Sequence, residues 1–172
     1  MNKKISIREL REEDALPIHN AFAAQGWKKP ARQYSDYWRE SLDGKRVILV
    51  ADVEGQFAGY LTIVWRSEYP PFEQAGIPEI VDFNVLIKFR RMKIGTALMD
   101  EAERRIAARS PIAGIGVCLH VDYGAAQVLY AKRGYVPDGR GAFYQGRFTK
   151  SGDPVLLNDD LSLQLTKRLK DG

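Results

Sequence analysis

Apolar and polar residues alternate through "ISIREL" (5–10), the period-two pattern of a strand with one buried face. "REEDALPIHNAFAAQG" changes to helical spacing, with acidic residues near its start, Ala15, Ile18 and Phe22 on one side, and Gly26 at its close. Ser35 is placed to cap a second, short helix, "DYWRESL". "RVILVADVEGQFAGYLTIVWR" (46–66) predicts two strands joined by a turn at Glu54-Gly55. Three prolines and a glycine in "SEYPPFEQAGIP" (67–78) predict a loop. "EIVDFNVLI" (79–87) returns to strand character. From Gly95 to about Arg109 the chain reads as a helix, with Ala97, Leu98, Ala102, Ile106 and Ala107 at helical spacing. Arg104 and Arg105 stand near its C-terminal end, where the helix dipole favours cations. "IGVCLHV" (115–121) predicts another strand, "AAQVLYAKR" (125–133) a short helix closed by Gly134, and "DLSLQLTKRL" (160–169) a final strand. Between the last two lies a stretch rich in glycine and turn residues.

This order predicts an α/β (α+β) fold with a mixed sheet, in a single domain over residues 1–172. The 45% apolar content suits one packed core. A net charge of +4 favours anionic ligands but is too small to argue for nucleic acid. The one cysteine, Cys118, excludes an internal disulfide, and its apolar neighbours predict a buried strand residue. "MNKKISIREL" has no apolar run of signal-peptide length, and nothing approaches the roughly 18 to 20 apolar residues that span a bilayer. A cytoplasmic protein with no membrane partner is expected. Two histidines, His19 and His120, and one cysteine without clustered spacing predict no metal site.

The densest chemistry lies in "KFRRMKIGTAL" (88–98), between a strand and a helix. A helix opening there leaves its first N–H groups free and partially positive, so anionic oxygens bind readily. Gly95 permits close backbone approach, and Lys88, Arg90, Arg91 and Lys93 add full charges. Neither a phosphate-binding loop ending in Gly-Lys-Ser/Thr nor a GxGxxG fingerprint is present.

"EIVDFNVLIKFRRMKIGTALMDEAE" resembles motif A of the GNAT superfamily, the Gcn5-related N-acetyltransferases: a strand, then Arg/Gln-x-x-Gly-x-Gly/Ala opening a helix. Arg90 and Gly95 fit; Lys93 replaces the first glycine. "DYGAAQVLYAKRGYVPDG" is similar to the next motif through Ala126, Tyr130, Gly134 and Tyr135, with Tyr123 where asparagine is usual. The opening strand–helix pair and last strand also look like the family's, so the resemblance spans nearly the whole chain. It implies a GNAT fold: one mixed, mostly antiparallel twisted sheet flanked by helices, with a central parallel pair splayed to hold acyl-CoA.

The resemblance further implies acetyl-CoA as cosubstrate. Its pyrophosphate would sit on Arg90, Arg91, Met92, Lys93, Ile94, Gly95 and Thr96. Lys93 can take the usual backbone shape unless the position requires positive φ. The pantetheine arm would pair with Phe83, Asn84 and Val85. Glu79 aligns with the family's strand glutamate that acts as base; a solvent-facing strand start explains it equally well. Asp82 is a second candidate, but strand alternation puts it on the opposite face unless a bulge intervenes. A water relay is a third route. Tyr130 matches the tyrosine that protonates the departing thiolate. Loops of the acceptor side contain Trp27, Tyr34, Tyr37, Trp38, Trp65, Tyr69, Phe72, Phe143 and Tyr144, which suit a pocket wall or core filling.

The expected function is acetyl transfer to a primary amine of a small molecule, by direct attack on the thioester. The alternative is an acyl-CoA sensor of the same fold without turnover, motivated by Lys93 and Tyr123. Nucleic acid is not an expected partner, because the basic run is short and Asp100, Glu101 and Glu103 follow it closely. Family members are often dimers, yet no segment marks an interface.

Overall fold

The computed structural model describes residues 4–170; the first three residues read above for a leader, and the last two of the expected domain, lie outside them. Eight strands form one sheet in the order β1-β2-β3-β4-β5-β8-β6-β7. They are β1 (Ile5–Glu9), β2 (Arg46–Val53), β3 (Gln56–Val64), β4 (Glu79–Val85), β5 (Ile112–Cys118), β6 (Val136–Tyr144), β7 (Arg147–Phe148) and β8 (Leu161–Arg168). Only β4 and β5 pair in parallel; every other neighbour is antiparallel. Among the described residues five α-helices flank the sheet: α1 (Ala15–Ala23), α2 (Ala31–Leu42), α3 (Pro70–Ala75), α4 (Ile94–Ala107) and α5 (Gly124–Lys132). This is the mixed architecture that the sequence resemblance implied.

The core has two halves. Helix α4 buries Leu98, Met99, Ala102 and Ile106 against one face of the sheet, with Leu61, Ile63, Ile80 and Ile115 in the same cluster. On the other face Tyr60 of β3 meets Phe22 of α1 and Tyr34 of α2 edge to face, at 5.9 and 5.3 Å between ring centres.

Four boundaries differ from the sequence reading. Helix α2 begins at Ala31, directly after Pro30, so Ser35 lies inside it and caps nothing. Residues 67–78 are not all loop: Pro70 and Pro71 open the short α3, whose first turn needs no N–H from them, and Gly76 at φ 64° closes it. Strand β5 runs three residues earlier than its apolar run, because pairing with β8 from Ile112 to Cys118 outweighs local composition. His120 therefore lies beyond the strand, not within it. The glycine-rich stretch after Gly134 holds β6 and β7, which tolerate it because Asp138–Gly141 bulge out of register between Pro137 and Ala142.

Candidate functional site

Strands β4 and β5 start side by side and then part. Their ladder consists of Glu79 opposite Gly114 and Ile80 opposite Ile115, extended by one bond from the Gly114 N–H to the Pro78 carbonyl. Beyond Ile80 the β5 edge of β4 has no strand partner, which leaves the backbone of Phe83, Asn84 and Val85 open on that side. The gap is a cleft of about 360 Å³, lined by Glu79 to Asn84 of β4, by Ile115, Gly116 and Cys118 of β5, and by Tyr123 and Tyr130 beside α5.

A bulge in β4 shapes the cleft. Between Tyr60↔Asn84 and Thr62↔Val81, one residue of β3 faces two of β4, and Asp82 adopts φ 50°. The extra residue shifts the phase of the strand. Phe83 turns to the α4 side, where its ring comes within 3.1 Å of the place a Cβ on Gly95 would occupy. Glu79, Asp82 and Asn84 consequently share one cleft, so the alternation argument that separated the two carboxylates does not hold. Gly59 permits the arrangement, since a Cβ there would lie 2.5 Å from the Asn84 carbonyl oxygen.

The two carboxylates differ in their partners. Asp82 accepts hydrogen bonds from Lys29 Nζ (2.8 Å), Gln33 Nε2 (2.7 Å), Tyr37 OH (3.0 Å), Tyr60 OH (2.5 Å) and Asn84 Nδ2 (2.8 Å). Burial works against its ionised form, but the Lys29 charge and these donors outweigh burial and hold its pKa below the usual value. Asp82 is thus a fixed anion that ties α2 and the α1–α2 loop to the bulge. Glu79 is 8% exposed and takes one side-chain hydrogen bond, from Ser67 Oγ. Burial pushes its pKa up, Ser67 offsets part of this, and the nearby negative charge of Glu68 adds to the rise. A carboxylate raised in this way is suited to accept a proton near neutral pH.

Tyr130 of α5 is 5% exposed and lines the same cleft. Its hydroxyl makes no hydrogen bond among the described residues, and burial pushes its pKa well up, so it keeps its proton and is free to donate. Tyr123 stands at the mouth, packed edge to face on His120 at 4.8 Å. His120 binds Asp159 (Nε2 to Oδ1, 2.7 Å), while His19 Nδ1 lies 2.7 Å from the Lys29 carbonyl oxygen. Cys118 is half-buried at the end of β5, its thiol 3.3 Å from the Asp159 carbonyl and pushed up by burial, which keeps it protonated.

The basic turn forms the outer end. Arg91 and Lys93 both adopt φ 63°, and Lys93 is the residue before α4, whose N-terminus no side chain caps. Lys93 therefore occupies a positive-φ position, the circumstance under which lysine is strained, at about 1 kcal/mol or somewhat more. Successive amides in such a turn form an anion-binding concavity at the helix dipole. Lys88, Arg90, Arg91 and Lys93 are exposed and have no ion-pair partner among the described residues, unlike most of the chain's other arginines. Arg90 rests over the Trp27 ring at 5.6 Å. This uncapped, cationic turn fits the pyrophosphate of a CoA thioester, and the open edge of β4 fits its amide arm. Of the residues that the resemblance assigned, Glu79, Phe83, Asn84 and Tyr130 line the cleft, while Val85 and residues 90–96 are not part of its lining.

Sequence reasoning missed Lys29, Gln33 and Tyr60, which fix Asp82, and Ser67, which holds Glu79. Glycines at alternate positions 114 and 116 of a strand were the available signal for a close approach. A Cβ on Gly114 would lie 2.4 Å from the Phe72 ring, so its absence lets α3 settle on β5. For the aromatic residues read as either pocket wall or core filling, the structure favours core at Tyr34, Tyr69, Phe72 and Tyr144, which are buried. Tyr34 and Phe72 are fully buried, Tyr69 packs on Phe72 and Phe143, and none of the nine lines the cleft.

A family model for the acetyltransferase (GNAT) family matches residues 7–135. No curated protein matches the sequence. Solved structures share the fold at low identity. An N-acetyltransferase from Staphylococcus aureus Mu50 is 14% identical with a TM-score of 0.69, over 97% of this chain and 99% of that one. Ard1 from Thermoplasma volcanium is 20% identical at 0.69, over 97% and 99%. A spermidine N-acetyltransferase SpeG chimera from Vibrio cholerae and hSSAT is 12% identical at 0.68, over 96% and 95%. Among the described residues no helix is long and apolar enough to cross a membrane, and no group of three or more His, Cys, Asp or Glu could hold a metal ion.

Proposed function

The chain belongs to the GNAT family of acetyltransferases, and from that premise we propose that it transfers the acetyl group of acetyl-CoA to a primary amine of a small molecule. When bound, acetyl-CoA supplies the acetyl group as an activated thioester. Arg90 to Thr96 hold the pyrophosphate through backbone amides and cationic side chains, and the free edge of Phe83 to Val85 receives the pantetheine amides. Glu79 takes a proton from the acceptor ammonium, which frees the nitrogen lone pair to attack the thioester carbonyl. As the C–S bond breaks, the Tyr130 hydroxyl gives its proton to the departing sulfur, and the second proton shed by the acylated nitrogen returns to the Tyr130 oxygen. Asp82 holds the bulge and the α1–α2 loop in place and moves no proton.

The observation that carries this reading is the contrast inside one cleft. A buried Glu79 with a raised pKa and an unpartnered Tyr130 hydroxyl face a gap that begins where the β4–β5 ladder ends. The test is thiol release from acetyl-CoA with spermidine, kanamycin and a serine-initiated tetrapeptide as acceptors. Saturable release with spermidine or kanamycin is expected. Acetyl-CoA binding without release from any of the three would replace transfer with the sensor reading, and preference for the peptide would move the acceptor to protein N-termini.

A further inference from the structure

Gln164 of β8 lines the cleft and has a chemistry that the reading above leaves unused. The side chain is 6% exposed. Its Nε2 donates to Ser162 Oγ at 3.0 Å, and its Oε1 has no hydrogen-bond partner among the described residues. A buried carbonyl oxygen without a donor costs stability, and native proteins rarely keep one without a use.

The strand register shows what Gln164 faces. Gly116 stands opposite Gln164, and Gly114, two residues earlier on the same face of β5, stands opposite Glu79. The Phe72 ring covers Gly114, while Gly116 lines the cleft and leaves β5 without a side chain beneath the amide. A Cβ on Gly116 would lie 2.9 Å from both Nε2 and Oε1 of Gln164, so the amide rests directly on the strand. In this arrangement Nε2 is bonded to Ser162 Oγ and Oε1 is the free end. An oxygen of this kind accepts only, so its partner is an N–H or O–H donor. The pantetheine edge belongs to β4, on the other side of β5.

We propose that Gln164 is an acceptor-binding residue, its Oε1 taking an N–H of the incoming primary amine while Glu79 takes the proton. The proposal rests on the acetyl-transfer reading. A neutral primary amine keeps two N–H bonds beside its lone pair, so Gln164 can hold one without blocking attack. The role is recognition: it orients nitrogen and favours amines that retain an N–H at this point.

The test is Gln164→Met, which keeps length and removes the polar head, with Ser162→Ala as the milder variant. Both are assayed with spermidine, kanamycin and the serine-initiated tetrapeptide. The expected result for Gln164→Met is a rise of about tenfold in KM for the amine, with the KM for acetyl-CoA within about twofold of wild type. Its Tm should stay level or rise, because an unpaired buried acceptor has been removed. Ser162→Ala should shift the amine KM in the same direction by less. An unchanged amine KM, a change confined to acetyl-CoA, or a collapse of Tm would each overturn the proposal and make Gln164 a packing residue. If wild type releases no thiol with any of the three amines, the transferase reading falls and takes this role with it. Turnover by wild type with an unaffected variant removes only the role of Gln164.

Discussion

Glu79 and Asp82 are three residues apart on one strand and line one cleft, Glu79 buried and Asp82 half-buried, yet the fold treats them in opposite ways. Asp82 has five donors, one of them the Lys29 ammonium, so its charge is stabilised more than burial costs. Glu79 has one donor and a like charge nearby, so burial prevails. Proximity to the reaction centre does not identify a base; the balance between desolvation and hydrogen bonding does. A carboxylate held by many donors has been made structural, and one left nearly alone retains a reason to bind a proton.

The largest effect that would break this comparison is on activity. Glu79→Gln should lower kcat/KM at neutral pH by about 10²- to 10³-fold, as measured by thiol release. It should also abolish the acid limb of the rate profile, which in wild type rises with pH through the raised Glu79 pKa. The fold favours protonated Glu79. That contribution to stability is complete below the ordinary glutamate value and is lost as pH rises through the higher folded value. At neutral pH Glu79→Gln should therefore leave Tm level or higher. A fall in Tm with activity intact would make Glu79 a structural residue.

Asp82→Asn should show the reverse pattern: a loss of about 2 kcal/mol in urea unfolding at neutral pH, because the half-buried Lys29 ammonium is left without its counter-charge. With the pKa lowered in the fold, the contribution of Asp82 is present above the ordinary aspartate value and lost as pH falls through the folded one. Wild type and variant should thus converge in acid. A constant gap across pH would show that packing, not charge, accounts for the loss.

Tyr130→Phe sharpens the reactive side of the contrast. Its hydroxyl is unpartnered like the free oxygen of Glu79, so removing it should cost kcat about ten- to a hundredfold with little change in Tm. An unaltered kcat would assign the sulfur's proton to solvent. Lys93→Gly is the smallest and compares two strained positions. Asp82 and Lys93 both hold positive φ, but Asp82 is anchored by its network and the Lys93 side chain by no ion pair. Glycine at 93 should stabilise the protein by about 1 kcal/mol in thermal or urea unfolding, and acetyl-CoA affinity should hold within a few-fold.

Much of this was readable in the chain. The β2–β3 hairpin follows from two apolar runs separated by a turn at Glu54-Gly55, where both residues take positive φ. Helix α4 follows from its apolar stripe, and the cationic turn before it from four basic residues around Gly95. These depend on spacing and local backbone preference, which sequence carries directly. Strands β6 and β7 were not readable, because the glycines in and around them speak against strand, and only the pairing of β6 with β8 and of β7 with β6 overrides them.

The sequence by itself determined the order of the elements other than α3, β6 and β7, the positions of Arg90, Gly95 and Tyr130, and the presence of two carboxylates on β4. Only the tertiary structure decided which carboxylate can act. The bulge at Asp82 arises from a register shift against β3, and the donors that fix it come from residues 29, 33, 37 and 60, remote in the chain. Burial and hydrogen bonding of a side chain are sums over neighbours brought together by folding. No local pattern along the strand contains them.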